Sequence, residues 1–360
     1  MLKKLDFYII RKFLGTFFYA IALIISIAII FDFSEKIDDF IEKEAPFREV
    51  FMDYYLNFIP YFANLFSGLF TFIAVIYFTS KMAYDSEIIA ILSSGVSYKR
   101  LMRPYLVSAA VIAILSWTLG NFVIPHANET KLNFEYQYLK KRKGNSERNI
   151  HLQVEKNLFV YMSKYNTSTD LGHKFTLERF DDQNKLVSKL TSENIKWDRE
   201  RKIWVINRYT IRDIEGEKET LSHGKKIDTV LNMNPSDFSF DKYTVESLDF
   251  FEMNKHIKEQ KLRGVSNVLM YELEKHKRSA SAFSAFILSI IGVSLASRKI
   301  RGGIGLHLGL GLLLSFTYIL FQQVSKVFAI DGSLNAFMAA WLPNFVFAII
   351  AVVLYRRAAQ

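Results

Sequence analysis

The 360-residue sequence contains no cysteine, so a disulfide framework, a thiolate metal site and a thiol nucleophile are all closed to it. Its seven histidines show no metal-ligand spacing, and no metal site is assigned. The phosphate-cradling pattern G-x-x-x-x-G-K-[ST] is missing, and with it any P-loop of the chain's own. The G-x-G pairs of "RGGIGLHLGLGLLL" lie in an apolar run with no preceding strand, where a dinucleotide fingerprint cannot form. Small residues there suit close helix packing instead. Charge is missing from six long stretches: residues 13–31, 54–80, 104–125, 279–297, 302–325 and 332–355 hold no Asp, Glu, Lys or Arg.

Each stretch is near the roughly 20 residues an α-helix needs to cross about 30 Å of hydrocarbon. Hydrophobic residues make up 50% of the chain, and six such runs leave too little polar surface to wrap them as a soluble core. The reading is therefore a six-span helical membrane protein, since helices satisfy their backbone internally in lipid. The first run is longer than a signal peptide's apolar region and no small-residue cleavage pattern precedes Asp32, so it is expected to stay as a span.

Lys and Arg in the short connections set the expected orientation. Lys3, Lys4, Arg11, Lys12, Lys81, Lys99, Arg100, Arg103, Arg298, Lys299, Arg301, Arg356 and Arg357 fall on one side, against Lys36, Lys43, Arg48 and Lys326 on the other. Both termini are then cytoplasmic, with the long polar middle outside.

That middle, residues 126–255, reads as an inserted all-β domain. "NLFVYMS", "KFTLERF", "KLVSKLTSENIKW" and "KIWVINRYTIRDI" cluster or alternate β-branched and aromatic residues. The turn-forming pieces "NTSTDLGH", "DDQN", "DRERK" and "EGEK" separate them. About seven strands without helix patterns between them predict a sandwich or jelly roll. The expected division is residues 1–125 for spans 1–3, 126–255 for the jelly-roll-like domain and 256–360 for a connecting helix and spans 4–6. A helical pattern at 250–278 leads into the fourth span.

His307 lies in the fifth span, near Arg301, and reads either as a proton relay or as a histidine satisfied at a helix end. The connection "DSEIIAILSSGVSYKR" between spans 2 and 3 raises a sharper question. Asp85 or Ser86 can cap a short helix, Glu87 favours its amino end and Gly95 its close. Ile88, Ile91, Leu92 and Gly95 fall three or four apart on one face. An interfacial helix dipping into headgroups and a helix seated in a partner's groove both account for that face.

Three spans, an outside β domain and three more spans, with "SEIIAILSSGVS" after the second, resemble the lipopolysaccharide export permease family LptF/LptG (YjgP/YjgQ). "LDFYIIRKFLGTFF", "NFVIPHAN", "LFVYM", "KIWVINRYTIRD" and "AAWLPNFVFAIIAVVLYRR" resemble its other landmarks in order, over essentially the whole chain. The resemblance implies a permease subunit of an ABC-type exporter in the Gram-negative inner membrane. Such a subunit extracts lipopolysaccharide and passes it to a periplasmic bridge. The implied partners are a cytoplasmic ATPase dimer, a second LptF/LptG-type permease subunit, a periplasmic jelly-roll bridge protein, lipopolysaccharide and membrane lipid, with no nucleic acid. The chain is then no enzyme and has no cofactor of its own, ATP being used by the ATPase.

The resemblance makes 85–95 a coupling helix, with Asp85, Glu87, Ile88, Ile91, Leu92 and Gly95 as ATPase-binding candidates. It also makes Phe31, Lys36 and Lys43 candidates for lipid contact, since the family meets lipid phosphates with basic residues past its first span. Asp32, Glu35, Asp38 and Asp39 surround Lys36 here, and a solvated helix face laced with ion pairs is the other reading. "LKKRKGN" (139–145) is a second outside basic patch or a linker. A membrane-anchored periplasmic receptor or assembly protein is the alternative function, though six long spans exceed what an anchor needs.

Overall fold

The computed structural model describes residues 3–139, 146–166, 168–235, 242–262, 268–298 and 303–359. Each expected span overlaps one long helix or helical run, and among the described residues six of these are long and apolar enough to cross a membrane. They are α1 (Lys4–Glu42); the run α2 (Phe47–Glu49), a π turn and α3 (Leu56–Tyr84); the run α5 (Tyr98–Thr118), a π turn and α6 (Ile124–Phe134); α9 (Val268–Ala296); α10 (Gly303–Ile330); and α11 (Ala336–Ala359). The short helix α4 (Glu87–Ser93) joins α3 to α5. Two further helices, α7 (Lys242–Ser247) and α8 (Phe250–Leu262), precede α9.

The chain divides into two compact units, residues 1–139, 246–250 and 272–360 in one, and 140–245 and 251–271 in the other. In the helical unit α1 presents a buried stripe of Ile9, Phe13, Phe17, Ile21 and Ile25, spaced four apart so that all fall on one face. This stripe shares a core with Val75, Phe78 and Met82 of α3 and Leu101, Tyr105 and Ile112 of α5. Gly292 of α9 allows a close approach to α3, because a Cβ there would stand 2.7 Å from Val75.

Polar groups inside the bundle bond across helices. The Tyr318 hydroxyl donates to Asn344 at 2.7 Å, whose amide donates to the Ala280 carbonyl at 2.8 Å, joining α10, α11 and α9. Ser116 donates to Asn64 at 2.6 Å. The third helical run passes Pro125, the expected exit, and continues to Leu139. Pro125 has no N–H for the carbonyl four residues back, and the π turn Leu119–Val123 just before it absorbs the mismatch.

In the other unit six antiparallel strands form one sheet in chain order: β1 (Ser146–Glu155), β2 (Leu158–Asn166), β3 (Leu171–Phe180), β4 (Leu186–Asp198), β5 (Ile203–Glu215) and β6 (Lys218–Thr229). The inserted β domain is thus present, and its described strands follow an up-and-down meander. Turn chemistry fixes the hairpins. Asp181 accepts from the Gln183 and Lys185 N–H groups between β3 and β4. Asp198 accepts from Glu200 and Arg201 between β4 and β5. Arg201, through its backbone and side chain, holds the Asp198 carboxyl below the usual carboxylate range.

One face of the sheet buries Leu152, Val160, Met162, Tyr165, Phe175, Ile195, Trp204 and Ile206. Trp204 is fully enclosed and its indole N–H donates to the Met233 carbonyl at 2.9 Å. The basic patch 140–143 lies outside the described residues.

Trp204→Ala removes the largest enclosed side chain of this core and is expected to cost about 3–5 kcal/mol. Hydrogen exchange on the full-length protein reads this as faster exchange across β2, β4 and β5; unchanged rates there would show that the sheet does not rest on Trp204.

Candidate functional site

The sequence candidates gather at the two ends of α1. At its amino end, the Lys3 N–H donates to the Asp6 carboxylate at 2.6 Å. Arg100, in the first turn of α5, donates to both Asp6 oxygens at 2.7 and 2.6 Å. This two-pronged, charge-assisted pair links residues far apart in sequence. Asp6 is 1% exposed, so its charge is tolerable only because these donors surround it. Ser97 orients the first turn of α5 by accepting the Arg100 N–H.

Helix α4 sits between two left-handed residues, Ser86 at φ 65° and Gly95 at φ 86°. Ser86 occupies the N-cap position, but its side chain makes no capping bond. Asp85 is exposed. Glu87, in the first turn, accepts from the Tyr8 hydroxyl at 3.1 and 3.4 Å. Ile88 is 1% exposed and belongs to the core that holds Ile9, Phe13 and Met82. Ile91 is half-buried against that core, whereas Ile89 and Leu92 are 52% and 36% exposed.

The face expected from spacing is therefore split. Ile88 points into the chain's own bundle and is out of reach of a partner. The outward apolar pair is Ile89 with Leu92, ending near the exposed Gly95. Helical spacing gives which residues share a face and not which way the face points; packing against α1 decides that. Tyr8, Asp6 and Arg100 escaped sequence reading because a pair between distant residues leaves no local pattern.

At its other end α1 continues past the apolar run to Glu42, carrying the acidic cluster as helix. Lys36 pairs with Asp32 at 2.5 Å, donates to the Tyr54 hydroxyl and lies 4.8 Å from the centre of that ring. Tyr54 and Tyr55 each donate to Asp32 at 3.2 Å. Lys131 of α6 stands 5.9, 5.7 and 5.8 Å from the rings of Tyr54, Phe58 and Tyr61, and 3.7 Å from Glu135. Two ammonium groups thus flank one tyrosine, each held by a carboxylate and by aromatic faces. This arrangement has no nucleophile activated by a base. Its chemistry is that of a cation site whose carboxylate partners an incoming anion can replace.

Of the three lipid-contact candidates, only Lys36 belongs to this network. Phe31 is 73% exposed on α1. Lys43 ends α1 in an exposed pair with Glu42 at 3.0 Å. Both i,i+4 pairing, expected as the alternative, and aromatic contact, which was not, describe Lys36. His307 shares a buried hydrogen bond with Ser80, tying α10 to α3. Among the described residues, no group of three or more His, Asp or Glu is placed to hold a metal ion.

The family described as lipopolysaccharide export system permease LptF/LptG matches residues 7–357. The chain belongs to the LptF/LptG family. It is similar to the lipopolysaccharide export system permease protein LptG of Escherichia coli strain K12, at 18% identity over 306 residues that cover 84% of each chain. It is equally similar to the LptG protein of Escherichia coli O6:H1 strain CFT073, at 18% identity and the same coverage. As an LptF/LptG protein it is a transport permease subunit and not an enzyme, and its six apolar helices make it a multi-pass inner-membrane protein. The family implies a lipopolysaccharide transport complex with other components.

The split of α4 separates two substitutions. Ile88→Ala is expected to destabilise the isolated subunit in detergent by about 2–5 kcal/mol. Ile89→Ala should change it by no more than about 0.5 kcal/mol. Thermal unfolding of the two variants side by side checks the order, and equal losses would contradict the inward placement of Ile88.

Proposed function

We propose that this chain is one of two permease subunits of an ABC-type exporter that lifts lipopolysaccharide from the inner membrane to a periplasmic bridge. The observation that carries the reading, beyond family membership, is α4. It is a seven-residue helix held between two turns, rooted inward by Ile88 and offering Ile89, Leu92 and the half-buried Glu87 outward. A receptor that used its helices only as anchors gives no reason for such a helix. A cytoplasmic ATPase dimer seats the outward face in a groove, and a basic group of the motor meets Glu87, whose bond to Tyr8 is long and comes from an uncharged donor, so a cation can replace it. Asp85, Ile91 and Gly95 border this contact, while Ile88 supports it from within.

Both termini then face the cytoplasm and the sheet faces the periplasm. At the outer end of α1, Lys36 and Lys131 suit the phosphates of a lipid headgroup. Each cation leaves a carboxylate for a phosphate of higher charge, and the aromatic rings stay in place. Phe31, exposed on the same helix, suits the acyl chains, and Lys43 lies beyond it as a further cation. The edge strands β1 and β6 have free outer edges among the described residues, and edge pairing with a bridge jelly roll would extend the sheet.

The test reconstitutes the subunit with its permease partner and ATPase in liposomes, adds ATP and measures lipopolysaccharide delivered to a soluble acceptor. Glu87→Arg is expected to weaken ATPase association or to lower lipid moved per ATP, with the subunit still folded. Lys36→Leu should lower lipid cross-linking and leave ATPase association unchanged. ATP hydrolysis by the wild-type complex without any lipid movement would sink the substrate assignment.

A further inference from the structure

Helix α4 is joined to α3 and α5 by tight turns at Ser86 and Gly95, both in the left-handed region, so that it and the first turn of α5 lie close together in the chain. Whatever pushes it must be resisted by something if the push is to travel. Two contacts of α4 and one from the first turn of α5, just past it, provide that resistance, and all three fall on the first turns of α1. Ile88 shares a buried core with Ile9 and Phe13, Glu87 is bonded to Tyr8, and Arg100 clamps Asp6 with two hydrogen bonds.

The three are not equivalent. Apolar contact is non-directional and the Tyr8 bond is long, whereas the Arg100–Asp6 fork fixes angle as well as distance. Asp6 is itself locked, at 1% exposure and with the Lys3 N–H on its second oxygen. A buried pair of this kind adds little net stability, because desolvation offsets its attraction. Its geometry is what distinguishes it. Asp6 lies in the first turn of α1, which runs as one hydrogen-bonded helix of 39 residues, about 58 Å long, and Lys36 stands roughly 45 Å further along it.

We propose that Asp6 and Arg100 are positioning residues of the transport cycle, forming a strut through which displacement of the α4 region passes into α1 and so to the cation site at its far end. The inference rests on the exporter reading above and adds to it a route for force inside one subunit. Neither residue is among those assigned above to lipid or to the motor.

The absence of cysteine in the chain makes the test clean. In the full reconstituted complex, Asp6→Asn keeps ATPase association and ATP hydrolysis, while lipopolysaccharide delivered per ATP falls about 5-fold or more. The exchange Asp6→Arg with Arg100→Asp restores at least half of the loss. A third protein carries Asp6→Cys and Arg100→Cys; uncoupled as made, it recovers transport per ATP when a short bis-maleimide joins the two thiols. This arm keeps the proposal testable if the exchanged pair fails to fold.

Full transport per ATP in Asp6→Asn overturns the strut. So does cross-linking of the cysteine pair without recovery. Loss of ATPase association in Asp6→Asn, in step with a lowered melting temperature, would make the pair a structural brace only. A wild-type complex that moves no lipid removes the exporter reading itself, and the strut with it, in a separate arm of the experiment.

Discussion

In hydrocarbon a polypeptide backbone has only itself to bond with, and the helical unit follows from that constraint. The six long helices supply the bonds, and side chains are left to decide how the helices meet. Because lipid is as apolar as leucine, association there depends on close fit and on a few interhelical hydrogen bonds. Gly292 against Val75 is the first kind; Tyr318, Asn344 and the Ala280 carbonyl are the second. The sheet obeys a different rule. It has one face enclosed around Trp204 and the other open, and its hairpins are set by Asp181 and Asp198.

Helix α1 reaches both ends of the bundle. Its middle is a plain apolar stripe, yet each end closes on a charged side chain from its own sequence: Asp6 bound to Arg100, Asp32 to Lys36. The two pairs differ in character. Each cation keeps a quarter of its side chain open, but the Asp6 side chain is 2% exposed and met by a rigid guanidinium, whereas that of Asp32 is 15% exposed and met by a flexible ammonium over a ring. One arrangement suits transmission and the other exchange, and the difference comes from arginine against lysine as much as from burial.

Much of this is legible in the sequence. Runs without charge locate all six helices, because burial in lipid excludes ionic groups over about 20 residues. The four interior strands show in their β-branched and aromatic residues. The edge strand β6, "KETLSHGKKIDT", does not, since almost all of it is exposed and no face selects apolar residues. The segment 85–95 stands out by composition, whereas the direction of its face depends on α1, eighty residues earlier. The same limit hides Tyr54, which reaches Lys36, and Lys131, which reaches the ring of Tyr54, only once three helices are assembled. Local pattern reports what a residue's own element needs and is silent on pairs closed by tertiary packing.

The π turn Val50–Tyr55 carries both tyrosines that meet Asp32. In an α-helix consecutive residues diverge by about 100°, yet Tyr54 and Tyr55 are both buried and both reach the one carboxylate of Asp32. The wider turn accommodates one residue more than an α-helix would and brings two neighbouring rings to the same side. That surplus residue is a vernier on the helix. Removing it would restore ordinary winding and rotate everything beyond it, so the span that follows keeps its facing only in company with the bulge.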